Sequence, residues 1–260
     1  MPLARSDLEL LLRTRKLDRT LTTALPPLDP RDELAVAPSG ISTLDAQLGG
    51  GFPRGQLSEL AGPRSAGRTS LLLQMLAAAT ARGELVAVVD ALDMLDVESA
   101  AAAGVDLDRL LWVRGHVVMN PGACRDLNQR ALEQAMRALT LVLQAGNFGL
   151  VVFDVAEAPA DAVRRLPFTT WLRLQRMVEG SQTMCLLVGS EAMARSSAGL
   201  TVKLGRAKGL GLRVEGGLRA EGAGLKFGQR LFEGRDVEAR IVRARVRERE
   251  EATVTFTTVA

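Results

Sequence analysis

The sequence predicts an α/β protein with a mostly parallel central sheet, helices on both faces and a β-rich C-terminal edge. Three observations carry this. Apolar runs such as ELVAVVDA, GLVVFD and TMCLLVGS show no alternation, as strands buried on both faces require. Helical segments separate them at the spacing of strand–helix–strand units. After residue 198 the pattern changes to glycine-rich loops, then ARIVRARVR with period two, then ATVTFTTV, which reads as antiparallel pairing.

In chain order, residues 5–24 place leucines at 8, 10, 11, 12, 17 and 21 among several arginines, an amphipathic helix pattern. The break LPPLDPRDE follows, so residues 1–37 read as an N-terminal helix and linker, and residues 38–260 as the core, with 198–260 its β-rich part. The helix has two readings: it packs on its own domain, or it docks on a partner through Leu8, Leu11, Leu12 and Arg15. In the core, LDAQLGGGFPRG turns into the strand QLSELAG, and TSLLLQMLAAATARG is a helix before ELVAVVDA. VESAAAAG is a helix closed by Gly104, and DRLLWVRG is a strand. RDLNQRALEQAMRALTLVLQAG is a long helix before GLVVFDVAE, and FTTWLRLQRMVEG a further one before TMCLLVGS.

Composition sets outer limits. With 260 residues, 47% hydrophobic and 24% charged, the chain can bury a substantial core as one α/β domain. No apolar run approaches the roughly 18 residues that span a bilayer, and MPLARSDLELLLRTRK lacks a signal-peptide pattern. A cytoplasmic, nucleoid-associated protein without a membrane partner is expected. Cys124 and Cys185 are far apart and His116 is the lone histidine, so neither a zinc site nor a disulfide framework is expected, and Cys185 within MCLLVG reads as a small buried hydrophobe. The net charge of +3 is uneven: from residue 200 onward there are 13 Lys+Arg against 8 Asp+Glu, and before it 20 against 22. Any attraction for nucleic acid is concentrated in the tail, where Arg240, Arg243, Arg245 and Arg247 stand out. The other reading of those arginines is a solvated edge strand guarded against aggregation.

GPRSAGRTS has the frame of a phosphate-binding loop, G-x-x-x-x-G-K-[ST], between a strand and a helix. Backbone N–H groups and the helix N-terminus hold phosphates there, the lysine neutralises them, and the hydroxyl ligates Mg²⁺. Gly62, Ser65, Ala66, Gly67, Thr69 and Ser70 keep the frame, but Arg68 replaces the lysine. Arginine keeps the charge but is longer, planar and forked, so the exchange is not conservative; it could hold a nucleotide weakly or pair with a neighbouring carboxylate. Asp154, closing GLVVFD, stands where a carboxylate supports Mg²⁺, or where it caps the next turn.

The run from Ser39 to Gly115 resembles the core of the RecA family: the LD…LGGG…P.G entry, the loop, the TSLLLQ helix, the VVDA strand and the A..GVD.D.LL segment match in order. A weaker match continues through GLVVFD and LLVGS. The resemblance implies a RecA-like P-loop NTPase core. It also implies a glutamate directly after VVDA to polarise the attacking water, where this chain has Leu92, and a polar sensor and long DNA-binding loop after LLVGS, where this chain has Ser190-Glu191 and the short AMARSSAGLTVK. With Arg68 and Leu92 together, no catalytic residue is assigned and no cofactor is expected. ATP and Mg²⁺ remain the ligands of the alternative, in which Asp90 or Asp93 replaces the glutamate.

A RecA-like protein with such a core resembles the ImuA, or SulA-related, group. That resemblance implies an accessory role in damage-induced mutagenesis and translesion synthesis, with an ImuB-like Y-family protein, an error-prone DnaE-type polymerase and RecA as partners. The alternative is a weak ATP-binding or ATP-hydrolysing DNA repair protein that binds DNA through its basic C-terminal region.

Overall fold

The computed structural model describes Leu25 and residues 35–115, 125–206, 235–244 and 252–258. The expected α/β architecture is observed. Eight strands form one sheet: β3 (Leu57–Ala61), β4 (Val86–Asp90), β5 (Leu110–Arg114), β6 (Leu150–Asp154), β7 (Met184–Gly189), β8 (Leu200–Arg206), β9 (Arg235–Ala244) and β10 (Ala252–Thr258), in the order β10-β9-β8-β3-β7-β6-β4-β5. From β8 to β5 neighbours run parallel; β9 and β10 are added antiparallel at the β8 side. A separate two-stranded sheet pairs β1 (Val36–Ala37) with β2 (Phe52–Pro53).

Side-chain alternation splits the core in two. Val86, Val88, Leu150, Val152 and Leu186 face one apolar cluster, closed by α1 (Ser42–Leu48), α2 (Arg68–Ala81) and α3 (Val97–Ala102). Ala87, Val89, Val151, Phe153 and Leu187 face the other, closed by α4 (Arg125–Ala145), α5 (Ala160–Arg164) and α6 (Phe168–Val178). Because β3, β4 and β7 are buried along their whole length, their sequences have no polar face to alternate. The leucines and alanines of α2 supply strong helix propensity with no internal glycine or proline.

The tail strands extend the sheet as the period-two pattern predicts, but β9 lies inside it, between β8 and β10. The reading of the tail arginines as an edge strand therefore fails for Arg240 and Arg243, which lie on β9, while the edge strand β10 carries no arginine. Arg240 is exposed on β9, level with Lys203 of β8; Arg243 is near the end of the same strand, and Arg245 and Arg247 lie outside the described residues. So do Leu8, Leu11, Leu12 and Arg15, with Cys124 and His116. Cys185 is fully buried in β7, and burial pushes its thiol pKa up to about 12. Among the described residues no helix is long and apolar enough to cross a membrane.

Candidate functional site

The loop Gly62–Gly67 leaves the carboxyl end of β3 and enters α2. Two glycines fix its path. A side chain at Gly62 would press on the Leu204 carbonyl of β8, its Cβ 2.7 Å from that oxygen. Gly67 begins α2 with φ +86°, and a Cβ there would come within 2.5 Å of Val237 of β9. Ser65 adopts the left-handed region, φ +60°. Ala66 is buried, Ser65 and Thr69 are exposed and Ser70 is half-buried; no side chain caps the N-terminus of α2.

Arg68 turns inward. It is 6% exposed, its Nη1 donating to the Ala156 carbonyl at 3.3 Å and its Nη2 to Glu157 Oε1 at 3.3 Å. Arg64, on the exposed tip of the loop, pairs with the other oxygen of the same carboxylate. The two arginines therefore clamp Glu157, which follows β6, and the positive charge at the lysine position is committed to acceptors of the chain itself. Neither Glu157 nor Arg64 carries a signal in the sequence; only the fold shows what lies beside Arg68.

The carboxylates beside this clamp come from adjacent strand ends. Asp90 and Asp154 stand opposite each other where β4 and β6 pair. Asp154 accepts from the Ala156 N–H at 2.9 Å, which caps the turn. Burial raises its pKa to about 6, helped by the nearby Asp90 and Glu157 charges and opposed by the Ala156 hydrogen bond and Arg68. Asp90 is buried and accepts from Leu95 N–H at 2.7 Å and Trp112 Nε1 at 3.3 Å.

Asp93 receives Arg114 in a bidentate pair at 2.8 and 2.7 Å, and that hydrogen-bonded guanidinium holds its carboxyl below the usual range. Arg114 in turn stacks on Trp112, 4.6 Å from the ring centroid. Leu92 is buried in the apolar cluster on the opposite sheet face. Both carboxylates considered as stand-ins for a water-activating glutamate are thus spent on fixing the turn after β4.

As arranged, these groups do not fit ATP·Mg²⁺. The buried guanidinium is tied to Glu157, Asp154 accepts the Ala156 N–H, and Asp90 is occupied by two donors. Among the described residues no cluster of histidine, cysteine or carboxylate groups could hold a metal ion.

The segment after β7 is short and pinned. Glu191 pairs with Arg164 at 2.5 Å, so its negative charge is offset by an adjacent cation. Sequence reading missed Glu59. This glutamate is 1% exposed in β3; its Oε1 accepts the N–H groups of Met193 and Ala194, each at 2.6 Å, and its Oε2 accepts Thr201 Oγ1 at 2.8 Å. A charged residue inside the strand LSELA was the available signal, since a buried carboxylate must find partners.

Comparison with known proteins adds to this geometry. Residues 28–160 match the family model described as the RecA N-terminal domain. Among curated relatives, Protein RecA of Clavibacter michiganensis is 40% identical over 131 residues, 50% of this chain and 32% of the relative. Protein RecA of Picosynechococcus is 44% identical over 79 residues, 30% of this chain and 23% of the relative. Protein RecA of Acholeplasma laidlawii is 38% identical over 122 residues, 46% and 33% respectively. The chain thus spans a third or less of the length of the curated relatives it matches.

Proposed function

Because the chain belongs to the RecA N-terminal domain family, we propose that it is a RecA-like accessory protein that has exchanged nucleotide turnover for protein contacts. It acts in damage-induced translesion synthesis in the manner of the ImuA group, with an ImuB-like Y-family protein, an error-prone DnaE-type polymerase and RecA as partners. The observation that carries this is Arg68: the charge a phosphate would need is held by Ala156 and Glu157. Leu92, buried where the resemblance expects a glutamate, supports the same reading. The segment after β7, short and held by Glu59, supports a scaffold rather than a DNA-sequestering loop.

The test is ATP binding and turnover by the purified chain with Mg²⁺, with Arg68→Ala as control. The expected result is no turnover above background in either protein. Turnover that Arg68→Ala abolishes would overturn the proposal and favour the repair ATPase. That second reading has one observation of its own, the juxtaposed exposed Lys203 and Arg240 on β8 and β9. Salt-sensitive oligonucleotide binding that weakens in Arg240→Ala would support it.

A further inference from the structure

β10 is one edge of the eight-stranded sheet, and among the described residues no strand pairs with its outer side. Such an edge offers a row of backbone N–H and C=O groups to any chain that can match it, and proteins ordinarily blunt it with charge, proline or a bulge. β10 has none of these. Ala252–Thr258 reads ATVTFTT, and its pairing with β9 runs through seven consecutive positions without a break. On the other side of β9 the register with β8 does shift, between Thr201 and Val202. The opposite edge strand, β5, is five residues long and closes on Arg114.

The charge-free zone continues onto the neighbouring helix. α1 packs beside β10, and its exposed residues are Ser42, Thr43, Ala46 and Gln47. Its one charged residue, Asp45, accepts the Ser39 N–H at 2.8 Å. Charged residues make up 24% of this chain, so an edge strand and adjoining helix surface with no exposed charge stand out, and depletion of charge is what marks the centre of protein interfaces.

The order of side chains on β10 says which partner fits. Val254 and Phe256 point into the core, while Thr253, Thr255 and Thr257 are exposed on the other face. The strand is symmetric about Thr255. Antiparallel pairing of two copies centred there sets Thr255 opposite itself, Thr253 opposite Thr257, and Val254 opposite Phe256. Threonine pairs, and pairs of an aromatic with a β-branched residue, are among the favourable cross-strand pairs. A slip of one residue would set exposed threonines against core residues.

We propose that two copies of this chain join through β10, antiparallel about a two-fold axis at Thr255, so that the sheet continues from one protomer into its partner. An isologous joint of this kind uses up the open edge of both copies and stops at the dimer. The patch, seven residues of β10 and the four of α1, falls short of the roughly 20–30 residues a side of a standard stable interface, which sets the affinity in the micromolar range. The inference goes beyond the accessory reading and does not depend on it.

The experiment is sedimentation of the full chain between about 1 and 200 µM, which brackets that affinity. A monomer–dimer equilibrium is expected, with no larger species. Thr255→Glu, beside Glu238 on β9, places four carboxylates in one row across the joint and should raise the dissociation constant at least tenfold, while the variant melts cooperatively like the parent. Cross-linking tests the register without adding charge. In a Cys124→Ser background, Thr255→Cys should form an intermolecular disulfide on oxidation. Thr253→Cys should not, because Thr253 lies four positions, roughly 13 Å, from its copy, beyond disulfide reach. A monomer throughout, an open series of larger species, a dimer untouched by Thr255→Glu, or equal cross-linking at 253 and 255 would each overturn the proposal. A monomer would mean that another segment of the chain, or a different protein, covers the edge. The ATP turnover assay bears on none of these outcomes.

Discussion

Asp154 turns its burial into a dependence of stability on pH. Its carboxyl ordinarily titrates at 3.8 and is raised to about 6 in the fold. The folded state thus holds the proton that the unfolded chain releases. This group's contribution is most favourable below about pH 4, falls as pH rises towards 6 and stays lowered above it. Asp154→Asn removes the penalty while its side-chain oxygen can still accept from Ala156. Urea unfolding at pH 8 should find the variant more stable by at most about 3 kcal/mol, with the advantage shrinking below pH 6 and absent near pH 4. A variant no more stable than the parent at pH 8 would mean the carboxyl is not raised. At this scale, legibility was uneven. The replacement of lysine by Arg68 and of glutamate by Leu92 stood in the sequence, but the fate of Arg68 did not. Its partners lie 88 and 89 residues downstream, and only the pairing of both β3 and β6 with β7 brings them near.

At the scale of elements, the strand–loop–helix unit of β3 and α2 depends on what packs behind it. Gly67 needs a left-handed backbone and has Val237 at its back, so Gly67→Ala meets strain and collision together. It should destabilise the chain by about 1–3 kcal/mol in chemical denaturation, and Gly67→Ala combined with Val237→Ala should recover part of the loss by relieving the collision. The parallel strands were legible because continuous apolar runs admit few other placements in a chain with helices between them. The helices α1 and α5 were not, since 7 and 5 residues give too few turns for a period to show. The place of β9 was equally hidden. Alternation reveals a strand with one polar face but not which strands flank it, and so an interior strand was read as an edge.

At the scale of the whole molecule, the eight-stranded sheet organises the described residues, and its last strands are part of the core rather than an appendage. Val237, Ala239, Ile241, Val254 and Phe256 are buried in the same cluster as α2. Removing residues 235–260 should therefore abolish cooperative thermal unfolding and solubility rather than yield a trimmed, folded core. A truncated chain that still melts in one sharp transition would show that β8 closes the sheet by itself. The contact between Gly67 and Val237 also has a meaning in time. The loop and its helix leave the ribosome early, while the residue that seats them is made 170 positions later. At the usual 5–20 residues per second that is roughly 10–30 s of synthesis. During that interval the Gly62–Gly67 turn lacks its backing, and a nascent chain has time to meet a chaperone, or a partner, in a shape the finished protein does not keep.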